Sequence, residues 1–465
     1  LAHGKLPAWI AYVDAPPMTT AQDPEAHAPS SEDPASWPKT LDLRSTTKKI
    51  AKQALNNTWK ETMRNILNLF TLVWVATLMT TSARAQISDD SVKIGVLTDL
   101  SGVYADAAGP LSVEAVRMAI ADFGGKVAGK PIVMVDADHQ NKADVGAAIA
   151  RRWYENEKVD VIVDLVNSAV AFAVLELAKQ KNKAILVASA GSSDLTGKAC
   201  SPNSVQWIYN TYALANSTAR ALVMEGAKSW YFLTVDYAFG HALRNDAAKT
   251  VERLGGAIAG EVRYPLNSMD FSSYILQAQN SKADVVAFAN TGGDLANSIR
   301  QAQEFGLTKG KQRLAVFLMQ SSDIHAIGLQ AAQGLLVTTG FYWDLDDQTR
   351  VFAKKFMDKT GKRPNMVHAG LYSAVTNYLK AIEKSGTDDG PKVIAQLKSM
   401  PIEDFFARNA SLREDGQLIH DMYLVQAKSP AESRGAWDYE KLVQVIPGKD
   451  AFVTPEESAC PLLKK

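Results

Sequence analysis

The residues with most chemistry to offer lie in the stretch AILVASAGSSDLTG, residues 184–197. An apolar run, Ala184 to Val187, stops abruptly in Ser189, Ala190, Gly191, Ser192 and Ser193, with Asp194 and Gly197 marking a turn. Such a run, ending in small residues, reads as a buried strand and the loop at its carboxyl end. One chemistry available there is nucleophilic. Val187-Ala188-Ser189-Ala190-Gly191 approaches the G-x-S-x-G elbow of α/β-hydrolases, and a downstream acid and histidine (His325, His368 and His420 are available) would complete a triad. The elbow's first glycine is missing. The other chemistry is electrostatic, because small side chains at a strand end expose backbone N–H groups that can hold an anion. A tight Ser/Gly turn with no ligand is the third possibility, and this stretch alone leaves it open.

A second donor-rich point is Asn167-Ser168, which follows the apolar run 159–166 and opens a helical pattern. A helix start offers free N–H groups and the positive end of a dipole, although capping alone also explains these residue types. Consecutive parallel strands are usually neighbours, so Asn167 and Ser189 are expected to face one crevice. Across it should lie Asp236-Tyr237-Ala238-Phe239-Gly240, Asn290-Thr291-Gly292-Gly293 and Met319-Gln320-Ser321-Ser322. Tyr104 and the run Phe341-Tyr342-Trp343 add rings in loops, where a pocket wall explains them better than a core does. No GxxxxGK[ST], GxGxxG or HExxH motif occurs, so no cofactor or metal is expected.

The elements that must position these residues alternate. Strand patterns at 92–97, 131–135, 159–166 and 184–187 are separated by helical ones at 111–123, 145–154 and 169–179. Parallel strands need crossovers, so this alternation predicts an α/β lobe with helices on both faces of its sheet. A second series follows Cys200-Ser201-Pro202, with strands at 230–235, 258–263, 285–289 and 314–318 and helices at 213–225, 241–254, 271–280 and 295–305. A strand at 335–338, helices at 348–360, 366–384 and 391–397, and late strands at 421–425 and 442–446 complete the pattern. The expected division is lobe 1 at 91–207 plus 340–420, lobe 2 at 208–339 plus 421–450, and a tail at 451–465. Crossings near Trp207, Gly340 and His420 would form a hinge.

The 465 residues are 46% hydrophobic and 22% charged, with 50 basic and 50 acidic side chains. That is ordinary globular composition, and the balanced charge offers no electrostatic case for nucleic acid. Lys60 and Arg64 precede an apolar run from Ile66 to Met79, which ends in Ala83-Arg84-Ala85. A positive flank, a short apolar core and an Ala-x-Ala end read as a secretory signal peptide at 63–85. The run falls short of the roughly 20 residues that span a bilayer. Met63 is then the expected start, 1–62 upstream sequence outside the fold, and the mature chain begins near Gln86.

Taken in order, VKIGVLTDLSGVYADAAGP, DADHQNKAD, VNSAVA, ASAGSSDLTGKACSP, DYAFGHAL and IRQAQEFGL resemble the substrate-binding proteins of ABC importers, in the leucine/isoleucine/valine-binding branch. The similarity runs from about Ser91 to the C-terminus. It implies a type I periplasmic binding fold: two doubly wound lobes joined by a multi-strand hinge, a monomer in the periplasm that delivers a solute to a membrane permease. By the same resemblance Asn167, Ala190, Gly191 and Ser192 would meet a ligand carboxylate, Phe239 would lie over the ligand and Thr291 would form a wall. Ser168 at the helix start, and Tyr104, Gln320 and Phe341 in loops at strand ends, join the expected site by their places in the pattern. The branch's amino-acid binders carry an acid near Gln320 or Ser321 to pair an ammonium, and residues 319–322 have none, while Asp323 is expected to cap a helix. An unpaired buried ammonium costs several kcal/mol. The resemblance therefore favours an organic carboxylate without an amine, as in the subgroup associated with benzoates and phenylpropanoids. Branched-chain amino-acid binding on the same fold, a sensor on that fold and a secreted serine hydrolase are the alternatives. Cys200 and Cys460 match no metal spacing, and pairing them would pin the tail beside the hinge.

Overall fold

The computed structural model describes residues 87–307 and 310–463, together with 54–56, 59 and 62–64. The chain divides into two units, Leu1–Thr81 and Ser82–Lys465. In the first, the described residues are short helical pieces. The predicted extension 1–62 and export signal 63–85 otherwise lie outside the described residues.

In the second unit the strand runs of the first series assemble into one sheet. β1 (Val92–Thr98), β2 (Lys126–Val127), β3 (Lys130–Asp138), β4 (Val161–Asp164), β5 (Ala184–Val187) and β6 (Ser204–Gln206) lie in the order β2-β3-β1-β4-β5-β6. All neighbours are parallel except β2 with β3. β4 and β5 are buried along their whole length and rich in Val, Ile and Leu, as strands covered on both faces by helices must be. The covers are α1 (Gly109–Asp122), α2 (Ala143–Arg152) and α3 (Ser168–Lys181). β6 has only three residues, too few to show a period in the sequence.

The second series repeats the plan. α4 (Thr211–Met224) and α5 (Ala238–Arg253) pack together beside β7 (Ser229–Val235) and β8 (Ala257–Tyr264). α6 (Ser272–Asn280), β9 (Val285–Ala289), α7 (Gly292–Glu304), β10 (Arg313–Val316) and α8 (Ser321–Ile327) follow. This sheet, β10-β9-β7-β8, is wholly parallel. A third, antiparallel sheet joins β11 (Leu336–Thr339) to β12 (Met422–Ala427) and β13 (Glu440–Ile446), and β11 packs on α4. Between β11 and β12 the chain returns to the first sheet: α9 (Asp347–Thr360) and α10 (Met366–Ser385) pack on α1, and α11 (Gly390–Lys398) on β5. α10 is bounded by an Asn365 cap and by Gly386 in the left-handed region.

The three interlobe passages meet. His420 Nε2 lies 2.7 Å from the Ile208 carbonyl, and a Cβ on Gly340 would stand 3.1 Å from Ile208 and 3.4 Å from the His420 ring. Burial lowers the His420 pKa, so the ring is neutral where the passages cross. Cys200 and Cys460 are bonded, 260 residues apart in sequence with Cα atoms 5.7 Å apart, which ties the tail to the loop before β6. A cross-link of that span restricts the unfolded chain by about 5 to 6 kcal/mol in the chain-entropy model. Reduction, or Cys200→Ser, should therefore lower the calorimetric melting temperature by several degrees; an unchanged temperature would mean that the bridge contributes nothing.

Candidate functional site

The first wall is built by the turn after β5. β4 ends in two consecutive left-handed residues, Asp164 (φ 78°) and Leu165 (φ 61°), which swing the chain sharply into α3. The Asp164 carbonyl accepts the N–H groups of Ala188 (3.1 Å) and Ser189 (3.3 Å), while its buried carboxyl accepts the Ser189 hydroxyl. In the turn itself every carbonyl from Ser189 to Ser192 is taken, by Tyr209 Oη, Gln206 Nε2 and the Thr211 and Leu195 N–H groups. The donors are not. The N–H groups of Ala190 and Gly191, and the buried Ser192 hydroxyl, have no hydrogen-bond partner among the described residues. The Ser192 N–H reaches Ser168 Oγ at 3.2 Å. Gly191 must be glycine: a Cβ there would lie 2.8 Å from the Tyr209 ring and 3.0 Å from that of Phe239.

Tyr104 comes from the loop after β1, which Asp99 organises by accepting the N–H groups of Gly102 (2.7 Å) and Tyr104 (2.9 Å) and the Asn141 amide (2.6 Å). From the second lobe, β7, β9 and β10 each lead to a helix whose start borders the cleft: Tyr237 and Phe239 on α5, Thr291 on α7, Gln320 on α8. The lobes touch directly. Tyr104 and Tyr237 share a 2.8 Å hydroxyl bond, the Gly293 N–H donates to the Val103 carbonyl at 3.0 Å, and Ser193 Oγ donates to Asp246 at 2.8 Å. Gly292 (φ 64°) permits this approach, since a Cβ there would stand 2.6 Å from the Val103 carbonyl oxygen.

These elements enclose a cavity bordered by Tyr104, Val166, Ser189, Tyr209, Tyr237, Phe239, Thr291, Leu318 and Gln320, with Ala107, Ala108 and Val367. Its free volume is about 20 Å³, room for about one water molecule. A larger solute therefore needs the lobes to part. Larger grooves lie elsewhere, such as that between Ser193–Lys198 and α5. No ionisable acid or base borders the small cavity, and burial raises the pKa of Tyr104, Tyr209 and Tyr237, so all three act as neutral phenols. Two buried carboxyls stand behind the wall. Desolvation pushes Asp323 to about 7 although it accepts the Gln320 N–H at 2.7 Å, and pushes Asp294 to about 7 although it accepts the Asn267 N–H at 3.1 Å.

Of the residues singled out in the sequence, Tyr104, Phe239, Thr291 and Gln320 border this cavity together. Asn167, Ser168, Ala190, Gly191 and Ser192 do not. Asn167 Oδ1 is spent capping α3 through Ala169 (2.9 Å) and Val170 (3.2 Å), and Tyr209 and Phe239 stand between the cavity and Gly191. Phe341 borders a neighbouring space that shares Gln320. Asp323 sits in the third position of α8, where it completes a capping box begun by Gln320. Tyr209 and Tyr237 were the rings to add: Tyr237 was visible in DYAFG, while Tyr209 was hidden behind the crossing at Trp207. The serine elbow has no triad. Ser189 donates to Asp164, and the three histidines are engaged elsewhere: His325 with Tyr439, His368 with the Asn365 N–H and His420 with Ile208.

Tyr237→Phe removes the cross-lobe hydroxyl bond while keeping the ring. At about 1 kcal/mol for such a bond, it should weaken solute binding about fivefold by isothermal titration; unaltered affinity would show that this bond does not favour closure.

Comparison with known proteins agrees with this architecture. The family model described as "Periplasmic binding protein" matches residues 91–435. A periplasmic binding protein from Burkholderia mallei is 49% identical, with 81% of this chain and 100% of that one covered and a TM-score of 0.79. A branched chain amino acid ABC transporter periplasmic ligand-binding protein from Burkholderia xenovorans LB400 is 40% identical, covering 80% and 100%, with a TM-score of 0.71. The "Leu/Ile/Val-binding protein homolog 6" of Brucella melitensis biotype 1 is 27% identical over 77% of this chain and 92% of its own. An R. palustris solute binding protein in complex with 4-hydroxybenzoate shares the fold at 23% identity, covering 81% and 100%, with a TM-score of 0.71. With two parallel-sheet lobes closing on a cleft at their strand ends, and a family match across most of its length, the chain belongs to the periplasmic binding protein family.

Proposed function

We propose that this protein is the periplasmic solute receptor of an ABC importer, and that its solute is a small organic carboxylate with an aromatic body, held between the lobes and released to a membrane permease. The observation that carries the ligand class is the cavity wall: four aromatic rings, Tyr104, Tyr209, Tyr237 and Phe239, and no carboxylate. A zwitterion there would leave its ammonium without a counter-charge, a cost of several kcal/mol. A carboxylate is better provided for. The starts of α5 and α7 border the cleft and turn the positive ends of their dipoles toward it. The free N–H groups of Ala190 and Gly191 and the Ser192 hydroxyl lie just beyond Tyr209 and Phe239, so a modest shift of those rings on opening would bring an anion to them. The 4-hydroxybenzoate complex of the R. palustris protein supports an aromatic acid on this fold.

A branched-chain amino acid is the second reading, favoured by the names of the Burkholderia xenovorans and Brucella relatives. On either reading closure follows from solute contacts that the open form lacks.

Thermal-shift and calorimetric titrations with benzoate, phenylpropanoate and leucine separate the two. A bound acid at about a hundredfold excess over its Kd adds about 2.7 kcal/mol by mass action, a rise of a few degrees in melting temperature. The aromatic acids should produce it and leucine should not; tight leucine binding with no aromatic response refutes the proposal.

A further inference from the structure

Beside the aromatic cavity, and sharing Gln320 with it, lies a second space between the lobes. Ser321 and Glu440 border it from the second lobe, Thr339 from the end of β11, Phe341 and Trp343 from the passage that follows, and Asn365 from the start of α10. Glu440, the first residue of β13, is the one ionisable group among them. Its carboxylate receives a single hydrogen bond among the described residues, a 3.2 Å contact from Ser321 Oγ. The nearby cations are engaged elsewhere. Lys428 pairs with Asp438 at 2.5 Å, Arg434 with Asp438 and Asp344, and Arg363 stacks 3.6 Å over the Trp343 ring. Trp343 Nε1, a buried donor, has no partner among the described residues. Desolvation pushes Glu440 up to about 7, with Asp323 raising it further and Lys428 acting the other way. With one of about four acceptor sites taken, this half-buried carboxylate beside the cleft loses water when the lobes close on a solute, which is costly unless something donates to it.

Resting on the aromatic-carboxylate reading, we propose that the cleft has a second compartment in which Glu440 accepts a hydrogen bond from a hydroxyl carried on the ring away from the solute's carboxylate. The aromatic cavity then holds the ring, Gln320 marks the junction, and Glu440 reads the far end. The compartment selects hydroxylated aromatic acids over their unsubstituted counterparts, because only the former supply a donor in place of the water that the half-buried carboxylate loses as the lobes close.

Matched pairs test this by isothermal titration of the full chain: benzoate against 4-hydroxybenzoate, and 3-phenylpropanoate against 3-(4-hydroxyphenyl)propanoate. In at least one pair the hydroxylated acid should bind about tenfold tighter, and Glu440→Leu should abolish that preference. Glu440→Gln keeps the shape and an acceptor oxygen and serves should the leucine variant not fold. In the parent the preference should grow as pH rises through 7 and Glu440 ionises; in Glu440→Gln it should be flat with pH. Equal binding within both pairs, or a preference that survives Glu440→Leu, overturns the second compartment alone. If no aromatic acid binds the parent chain, the ligand-class reading fails and this inference fails with it.

Discussion

A single buried carboxyl, that of Asp164, sets the geometry on which the cleft depends. It closes β4, adopts a left-handed backbone and faces the hydroxyls of Ser189, Thr98 and Ser112, and desolvation raises its pKa. Two consecutive left-handed residues without glycine cost about 1 to 3 kcal/mol each and persist only where the surroundings insist on them. Here they turn the chain from β4 into α3 across three residues, 165–167, and the same carbonyl that ends β4 anchors Ala188 and Ser189. The serine-rich turn is therefore held by its acceptors, and its unpaired donors are what remain. This ordering gives a donor-rich turn without any basic side chain.

Closure is the second dependence, and it is carried by few bonds. The Tyr104–Tyr237 hydroxyl pair, the Gly293–Val103 backbone bond and the Ser193–Asp246 contact join the lobes across the cleft, beside the three passages at Ile208, Gly340 and His420. At about 1 kcal/mol each, such bonds are of the same size as the differential affinity that moves a two-state equilibrium by one or two orders of magnitude. A solute that adds its own contacts to both sides can therefore decide the balance, which a large dry interface would not allow. The disulfide works differently: it fixes the tail beside the first passage and restrains the unfolded chain, so it adds stability without opposing the hinge.

How much of this was legible in the sequence depended on which physical signal each residue carried. The two parallel sheets were, because buried Val/Ile runs such as 161–164 and 285–289 alternate with helical patterns and parallel strands require the crossovers. Tyr104, Phe239, Thr291 and Gln320 were legible as side chains at strand ends, which is where a doubly wound sheet keeps its crevice. What a spacing argument could not give was side-chain occupancy. Asn167 looks identical in sequence whether its amide meets a ligand or caps α3; that its Oδ1 serves the helix, at 2.9 and 3.2 Å, is visible only in the structure. Gly191 and Ala190 were read as contacts, yet the rings of Tyr209 and Phe239 stand over them. Three-residue β6 carries no period, and Glu440 reaches the cleft by a route some 120 residues beyond Gln320, which no local pattern encodes.

Glu440 also changes what the absence of an acid at positions 319–322 means. The cleft is not free of carboxylates; it keeps one at a distance from the donor-rich turn, and holds Asp294 and Asp323 behind the wall with their pKa values raised by burial. An ammonium adjacent to the solute's carboxylate, as in an α-amino acid, would have to sit where the wall offers only phenols, Thr291 and Gln320. A donor several bonds away faces a different wall, one with an acceptor waiting. Discrimination then follows from where polarity sits along the solute rather than from its net charge, because each buried group left unpaired on closure costs about 1 to 3 kcal/mol, comparable to the bonds that hold the lobes together.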